Sequence, residues 1–169
     1  MKNFKLSRLF AAAVFVAVLG LSGCKQIVTQ FVDNYIIVAP IDANDALIGD
    51  WVDSSGAHYE VTQNAFDNHG TGWQSYAGNN LVVQKISDTA GTIFIQFTRA
   101  ANSDWTYSTT APDVGKWYGI SYKNLTASGV DISGAYKSGG RSACNTLQEA
   151  INEFTIANGY FGTYNTCTK

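Results

Sequence analysis

The stretch that decides the fold is residues 49–61, GDWVDSSGAHYEV. In its second half, side chains alternate: Tyr59 and Val61 face one way, while His58 and Glu60 face the other, as in a half-buried strand. The segment Ser54-Ser55-Gly56 is typical of a turn. Two short strands joined by a turn are therefore predicted, the first over 47–53 and the second over 57–62.

The same pattern of short strands separated by turns continues to residue 137. Further strands are predicted over 70–76, 81–87, 92–99, 116–125 and 129–137. The turn signals between them (Asn-His-Gly, Gly-Asn-Asn, Ala-Gly and Ser-Gly) recur at short intervals. This spacing predicts an all-β fold, an antiparallel barrel of about eight strands, with a β-sandwich as the alternative.

One helix is predicted near the C-terminus, over about 146–157. Thr146 and Glu149 form a capping box, in which the threonine is the N-cap. Asn158-Gly159 is a suitable stop. An apolar stripe follows helical spacing through Leu147, Ala150, Ile151 and Phe154.

The first 24 residues have a different composition from the rest. Lys2, Lys5 and Arg8 precede an apolar run over 9–20, which at 12 residues is too short to span a bilayer and has the length of a signal-peptide core. The run ends in Leu21-Ser22-Gly23-Cys24, which resembles the lipobox of bacterial lipoproteins. The resemblance implies a signal peptide over 1–23, removed on export, and diacylglycerol on the Cys24 thiol, commonly with a further acyl chain such as palmitate. The alternative is a short transmembrane anchor with a chance cysteine.

The resemblance also implies a domain layout and a location. A lipid-anchored segment is expected over 24–46 and the barrel domain over 47–169. Two or three acyl chains hold a protein on a membrane almost permanently. Lys25, where an inner-membrane protein often has Asp, favours the outer membrane of the cell envelope, and either face remains open.

Charge excludes one class of partner. Removal of the signal peptide leaves 8 basic against 13 acidic residues, a formal net charge of −5. A mildly acidic domain without Lys/Arg clusters lacks the electrostatic signature of a nucleic-acid-binding protein. Attachment to the membrane is then expected through lipid alone.

The two remaining cysteines, Cys144 and Cys167, are expected to form a disulfide, because an exported protein meets an oxidising compartment. Closing the loop between them would stabilise the fold by about 3.5 kcal/mol. A metal or redox pair is the alternative, although the spacing matches neither pattern.

Gly49-Asp50-Trp51 resembles the Gly-x-Trp signature at the first strand of lipocalins and related barrels. The resemblance implies that Trp51 closes one end of an eight-stranded barrel that binds a small apolar ligand, with Lys137 or Arg141 as candidates for the cation that stacks on the tryptophan. The alternative is a core tryptophan in another β fold.

Aromatic side chains are the candidate binding residues. A long connection over 100–115 carries two of them, and the others lie on the predicted strands or beside glycines. The candidates for ligand or partner binding are Trp51, Trp73, Tyr76, Trp105, Tyr107, Tyr118 and Tyr122. Two hypotheses follow: a carrier or sensor of a small apolar ligand, or an adhesion or interaction lipoprotein that contacts a protein or glycan through aromatic loops.

Catalysis is not expected. The chain has two histidines, His58 and His69, and neither belongs to a nucleophile or metal-hydrolase motif. Asp67 with His69 could bind a metal weakly, but a solvated turn is the better explanation, since a metal site needs three or four convergent ligands. We therefore expect no cofactor, no metal and no enzymatic activity.

Overall fold

The computed structural model describes residues 38–169. It contains one helix, α1 (Leu147–Glu153). The strands are β1 (Val38–Ala39), β2 (Gly49–Asp53), β3 (His58–Val61), β4 (Phe66–Gly70), β5 (Trp73–Ser87), β6 (Ala90–Ala101), β7 (Tyr107–Ser108), β8 (Trp117–Lys123), β9 (Gly129–Gly134) and β10 (Asn165–Thr168).

Eight of these strands form a closed antiparallel barrel. Strands β2, β3, β4, β5, β6, β8, β9 and β10 pair in this order, and β10 returns to pair with β2. The two-residue strands β1 and β7 add to β5 and β6. The prediction of an all-β barrel with one late helix is confirmed, and the fold is compatible with a lipocalin-like architecture.

The longest strand, β5, replaces two of the strands predicted from the sequence, those over 70–76 and 81–87. Gly78-Asn79-Asn80 has the composition of a turn but lies inside β5, where the pairing with β6 shifts register. Asn80 has a φ of 54°, and a Cβ on Gly78 would lie 2.7 Å from the Gln96 carbonyl oxygen. These residues form a bulge that bends the strand around the barrel. The turn itself falls at residues 71–72, so β4 was missed.

Two features at the C-terminus differ in detail from the sequence prediction. The Thr146 hydroxyl accepts a bond from the Glu149 amide at 3.2 Å, so the predicted N-cap is confirmed. The helix ends at Glu153, short of residue 157. Strand β10 follows it and closes the barrel, although its sequence, NTCT, carries little apolar signal.

The helix packs on the outside of the barrel against β6 and β8. Gly119 of β8 makes this approach possible, because a Cβ there would lie 2.7 Å from the Cβ of Phe154. Phe94 shares the outer face with Gly119, its cross-strand partner, and is fully buried. The apolar stripe predicted for the helix therefore packs against an apolar patch on the outer face of β6 and β8.

One end of the barrel, the base, is closed by Leu47, Trp51 and Tyr122, which are fully buried. The Trp51 Nε1 donates to the Leu47 carbonyl at 2.8 Å, and the Lys169 Nζ lies 4.4 Å from the centroid of the Trp51 ring. Gly49 has a φ of 153°, and a Cβ there would lie 2.4 Å from the Lys169 Cε. The glycine of Gly-x-Trp therefore leaves room for the cation.

The stacking cation is not one of the two that the sequence had indicated. Lys137 and Arg141 lie at the opposite end of the barrel, so that expectation was wrong, and the C-terminal residue, Lys169, occupies the place. Its amine also donates to the Ala46 carbonyl at 3.1 Å. The sequence could not identify Lys169 for this role, because β10, the strand that brings it to Trp51, was not predicted.

The chain before the barrel contributes to the core. Val38 pairs opposite Gln84 in the half of β5 that leads to the base, and Val38 and Ile41 are buried. The signal peptide, Cys24 and the rest of the segment up to residue 37 lie outside the described residues. Among residues 38–169, no helix has the length and apolar character needed to cross a membrane.

The disulfide between Cys144 and Cys167 is not formed, and this prediction was wrong. Both thiols are free and buried. Cys144 pairs with Trp117 at the start of β8, whereas Cys167 pairs with Val130 near the far end of that sheet. The two positions are about seven residues apart along the strands, roughly 20 Å, far beyond the span of a disulfide. Burial, and then the Asp53 and Asp131 carboxylates, raise the pKa of Cys167 to about 12.

Buried acids of this kind predict a loss of stability at alkaline pH. Burial, followed by the nearby Asp45 carboxylate, raises the pKa of Tyr122 from 10.0 to about 12. Between these values the unfolded chain loses a proton that the folded chain keeps, so the free energy of unfolding falls as pH rises. We expect the urea midpoint to fall between pH 8 and pH 11, and to fall less in Tyr122→Phe. Equal losses in both proteins would contradict the assignment to Tyr122.

Candidate ligand site at the barrel mouth

The end of the barrel opposite the base, the mouth, holds a cavity of about 690 Å³. It lies between two connections: residues 100–113 form its first wall and residues 135–142 form its second wall. Ligand pockets in proteins are usually about 300–1,000 Å³. The cavity is therefore large enough for a small organic molecule.

The floor of the cavity is aromatic. Tyr76, Phe97 and Tyr118 come from three neighbouring barrel strands and pack ring against ring. The centroids of Phe97 and Tyr118 are 4.7 Å apart, and those of Tyr76 and Tyr118 are 5.2 Å apart. Below this layer the barrel is filled by its own side chains, including Ile93, Ile95, Ile120 and Ile132.

The floor presents apolar rings rather than ionised groups. The Tyr118 hydroxyl donates to the Ala135 carbonyl at 3.1 Å. Burial is the main reason that the pKa values of Tyr76 and Tyr118 lie above that of an ordinary tyrosine. Both phenols therefore stay neutral at physiological pH, and the floor offers a surface suited to an apolar ligand.

Trp105 stands on the first wall in an unusual conformation. It has a φ of 65° at the tip of the β6–β7 hairpin, and its side chain is 70% exposed. The left-handed region costs a side-chain-bearing residue about 1–2 kcal/mol. Asp104 holds the tip, since its carboxylate accepts bonds from the Thr106 amide and hydroxyl at 3.0 and 2.6 Å. An exposed, strained aromatic residue at a cavity is characteristic of a functional site.

The second wall is held in place by Tyr160. Its hydroxyl accepts a bond from the Arg141 amide at 2.7 Å and donates to the Glu153 carboxylate at 2.5 Å. Gly140 lies against this hydroxyl, where a Cβ would be 2.7 Å from the oxygen. The segment after α1 therefore fixes the loop that borders the cavity.

The mouth is cationic in a chain in which acidic residues outnumber basic ones, 13 to 11. Lys137 and Arg141 both line the cavity, and the Arg141 guanidinium also lies 3.7 Å from the Glu149 carboxylate. The acidic lining residue Asp113 is already engaged, because its carboxylate accepts bonds from Lys116 at 2.8 Å and Ser142 at 2.5 Å. Although burial acts to raise it, these bonds lower the pKa of Asp113. The site thus combines an aromatic floor with a positive rim.

The structure separates the sequence-predicted binding residues into three places. Tyr76, Tyr118, Trp105 and Tyr107 line the cavity. Trp51 and Tyr122 lie in the base, far from it. Trp73 lies beside the turn at residues 71–72, 45% exposed, and packs against Gly70.

The residues that the sequence did not indicate are those of the second wall. Lys137 and Arg141 were candidates only for the cation on Trp51, and Ser138-Gly139-Gly140 was not among the predicted binding residues. The feature that could have indicated a binding loop is the run of small residues immediately before a cation. Only the tertiary structure brings it opposite Trp105.

Comparison with known proteins gives no assignment. No protein-family model, no curated protein and no solved structure matches this chain. The geometry of the mouth is therefore the basis for inferring its function.

Trp105 allows function to be separated from folding. We expect Trp105→Gly to keep or slightly raise the free energy of unfolding, by at most about 1 kcal/mol, because glycine adopts a positive φ without strain. The same change removes the largest exposed ring of the cavity. Urea unfolding tests the first effect, and a marked loss of stability would show that the ring supports the fold.

Proposed function

We propose that this protein is a lipid-anchored lipoprotein of the bacterial cell envelope whose barrel binds a small, largely apolar ligand at its mouth. The observation that carries the proposal is the cavity of about 690 Å³ over the aromatic floor of Tyr76, Phe97 and Tyr118. Lys137 and Arg141 at the rim suit a ligand with a polar or anionic end. Sequestering the apolar part from water supplies most of the expected affinity.

The proposed anchor is consistent with access to the mouth. The described chain enters the fold on the base side, at Val38 opposite Gln84. With lipid on Cys24, the base would lie toward the membrane and the mouth away from it. A ligand would then reach the cavity from the aqueous side.

Two related dyes test ligand binding. N-phenylnaphthylamine is neutral, and anilinonaphthalene sulfonate has the same rings with an added anion. We expect both to bind the full-length protein in detergent and to fluoresce. Ala135→Phe places a ring in the cavity from a position that is 7% exposed. Because this ring takes up space that the dyes need, we expect both to bind about tenfold more weakly or worse, a loss of about 1.4 kcal/mol or more in binding free energy.

Separate variants test the rim. Lys137→Met with Arg141→Gln should weaken the sulfonate and leave the neutral dye nearly unchanged, because only the anion interacts with the two cations. Dye binding that is equal in wild type and Ala135→Phe would place the dyes elsewhere and contradict the proposal.

The lipid anchor is tested independently. In a bacterial host supplied with an alkyne-labelled palmitate, the wild-type chain should take up the label and Cys24→Ser should not. Label in both proteins would contradict lipidation at Cys24.

A second function, contact with an envelope or host protein or a glycan, is favoured by one observation. Trp73, Trp105 and Tyr136 are 45, 70 and 66% exposed, and the last two line the cavity. Exposed aromatic residues dominate many interfaces. If Trp73→Ala, which lies outside the cavity, abolishes binding to envelope preparations while both dyes still bind, this second function gains support over the first.

A further inference from the structure

The two histidines of the chain lie side by side on the outer face of the barrel. His58 and His69 are directly opposite each other on β3 and β4. Their rings are stacked, with centroids 5.0 Å apart and planes inclined by 13°. Both are about one-third exposed, so their outer edges can be reached from solvent.

Each imidazole has a carboxylate on the same side. The His58 Nδ1 donates to Asp50, with nitrogen–oxygen distances of 2.8 and 3.0 Å. The His69 Nδ1 lies 3.7 Å from the Asp67 carboxylate. A carboxylate that accepts a bond from one ring nitrogen holds the proton there and leaves the other nitrogen as a free, more basic ligand. This arrangement supports histidine ligands in many metal sites.

The surrounding face is acidic. Glu60 is paired with Asp50 on one side and with Asp67 on the other, so three carboxylates and two imidazoles share three adjacent strands. Arg99, 3.5 Å from Asp67, is the cation in contact with that carboxylate. The net negative charge favours a divalent cation over an anion at this face.

We propose that the Nε2 atoms of His58 and His69 bind one divalent transition-metal ion of the kind that prefers imidazole, such as Zn²⁺, on the outer face of the barrel. Two nitrogens at about 2.05 Å from a tetrahedral ion stand roughly 3.4 Å apart. The ring centroids are 5.0 Å apart and the planes are nearly parallel, so both rings must turn to aim their Nε2 atoms at one ion. The side chains are partly exposed and can rotate. No third His, Cys, Asp or Glu converges with them among residues 38–169, so water completes the coordination.

Since the chain holds these two histidines alone, any imidazole signal reports on this site. Zn²⁺ is titrated into the full-length protein, with calorimetry for affinity and NMR of the imidazole groups for location. We expect both sets of imidazole resonances to shift together. His58→Gln and His69→Gln should each reduce the Zn²⁺ affinity at least about tenfold, and Asp50→Asn roughly tenfold or more, the usual effect of losing the carboxylate behind a ligand.

The matched control is Asp131→Asn. This carboxylate also accepts side-chain bonds, from Asn124 and Thr166, but lies elsewhere on the barrel, so its loss should leave the Zn²⁺ affinity unchanged. Buried Cys144 and Cys167 are common to all the variants and do not affect the comparison. Zn²⁺ affinities that are equal in wild type and both histidine variants, or a shift of only one imidazole, would overturn the proposal.

Discussion

Replacing Trp51 with alanine is expected to lower the free energy of unfolding by about 3–5 kcal/mol, the usual cost of deleting a large buried aromatic side chain. Trp51 is completely buried, its Nε1 donates to the Leu47 carbonyl at 2.8 Å, and Lys169 covers its face. The variant would lose the ring that closes the base, the bond and the cation contact together. A loss of this size is a large share of the 5–15 kcal/mol that stabilises a typical domain.

Urea unfolding followed by circular dichroism measures the effect without relying on tryptophan fluorescence. The control is Trp73→Ala, since Trp73 is 45% exposed and should cost much less. Lys169→Met tests the cation separately, with an expected loss of about 0.5–1 kcal/mol. If Trp51→Ala loses no more stability than Trp73→Ala, Trp51 does not close the barrel.

Phe154→Ala is expected to have the second-largest effect, also about 3–5 kcal/mol. Phe154 is 1% exposed, and its ring centroid lies 5.8 Å from that of Tyr118 and 5.1 Å from that of Tyr160. It therefore connects the helix both to the floor of the cavity and to the residue that holds the second wall. We expect the variant to lose dye affinity as well as stability.

Ile156→Ala serves as the control for this prediction. Ile156 lies two residues further along and is 63% exposed, so its loss should change neither stability nor dye binding appreciably. Dye affinity is measured without urea, at a temperature at which circular dichroism shows Phe154→Ala to be folded. Normal dye affinity in the folded variant would show that the floor does not depend on the helix.

Part of the candidate site could be predicted from sequence because its signals are local. Tyr118 was a candidate because it is an aromatic residue on the predicted strand over 116–125, and Trp105 because it is an aromatic residue in the long connection over 100–115. The second wall could not be found in this way. Its contribution depends on Tyr160, which is 19 residues from Arg141 in the chain and fixes the loop from outside the barrel.

The errors also have a common physical origin. Pairing Cys144 with Cys167 was inferred from the chemistry of an oxidising compartment, which carries no information on position; the Cys144 bridge to Trp117 and strand β10 hold the two thiols at different ends of the sheet. Gly78-Asn79-Asn80 was interpreted as a turn because a bulge and a turn need the same residues, ones that tolerate a positive φ or a close backbone contact.

The sequence by itself determined the all-β fold class, the alternating faces of β3 and the N-cap of α1. These follow from local periodicity and from contacts between close neighbours in the chain. Only the tertiary structure decided that β10 closes the barrel, that Lys169 covers Trp51, that His58 stacks on His69 and that two distant loops enclose the cavity. Each of these depends on strand register and on contacts between distant parts of the chain. A register shift of one residue would turn every side chain of a strand to the opposite face, and no local pattern records the register.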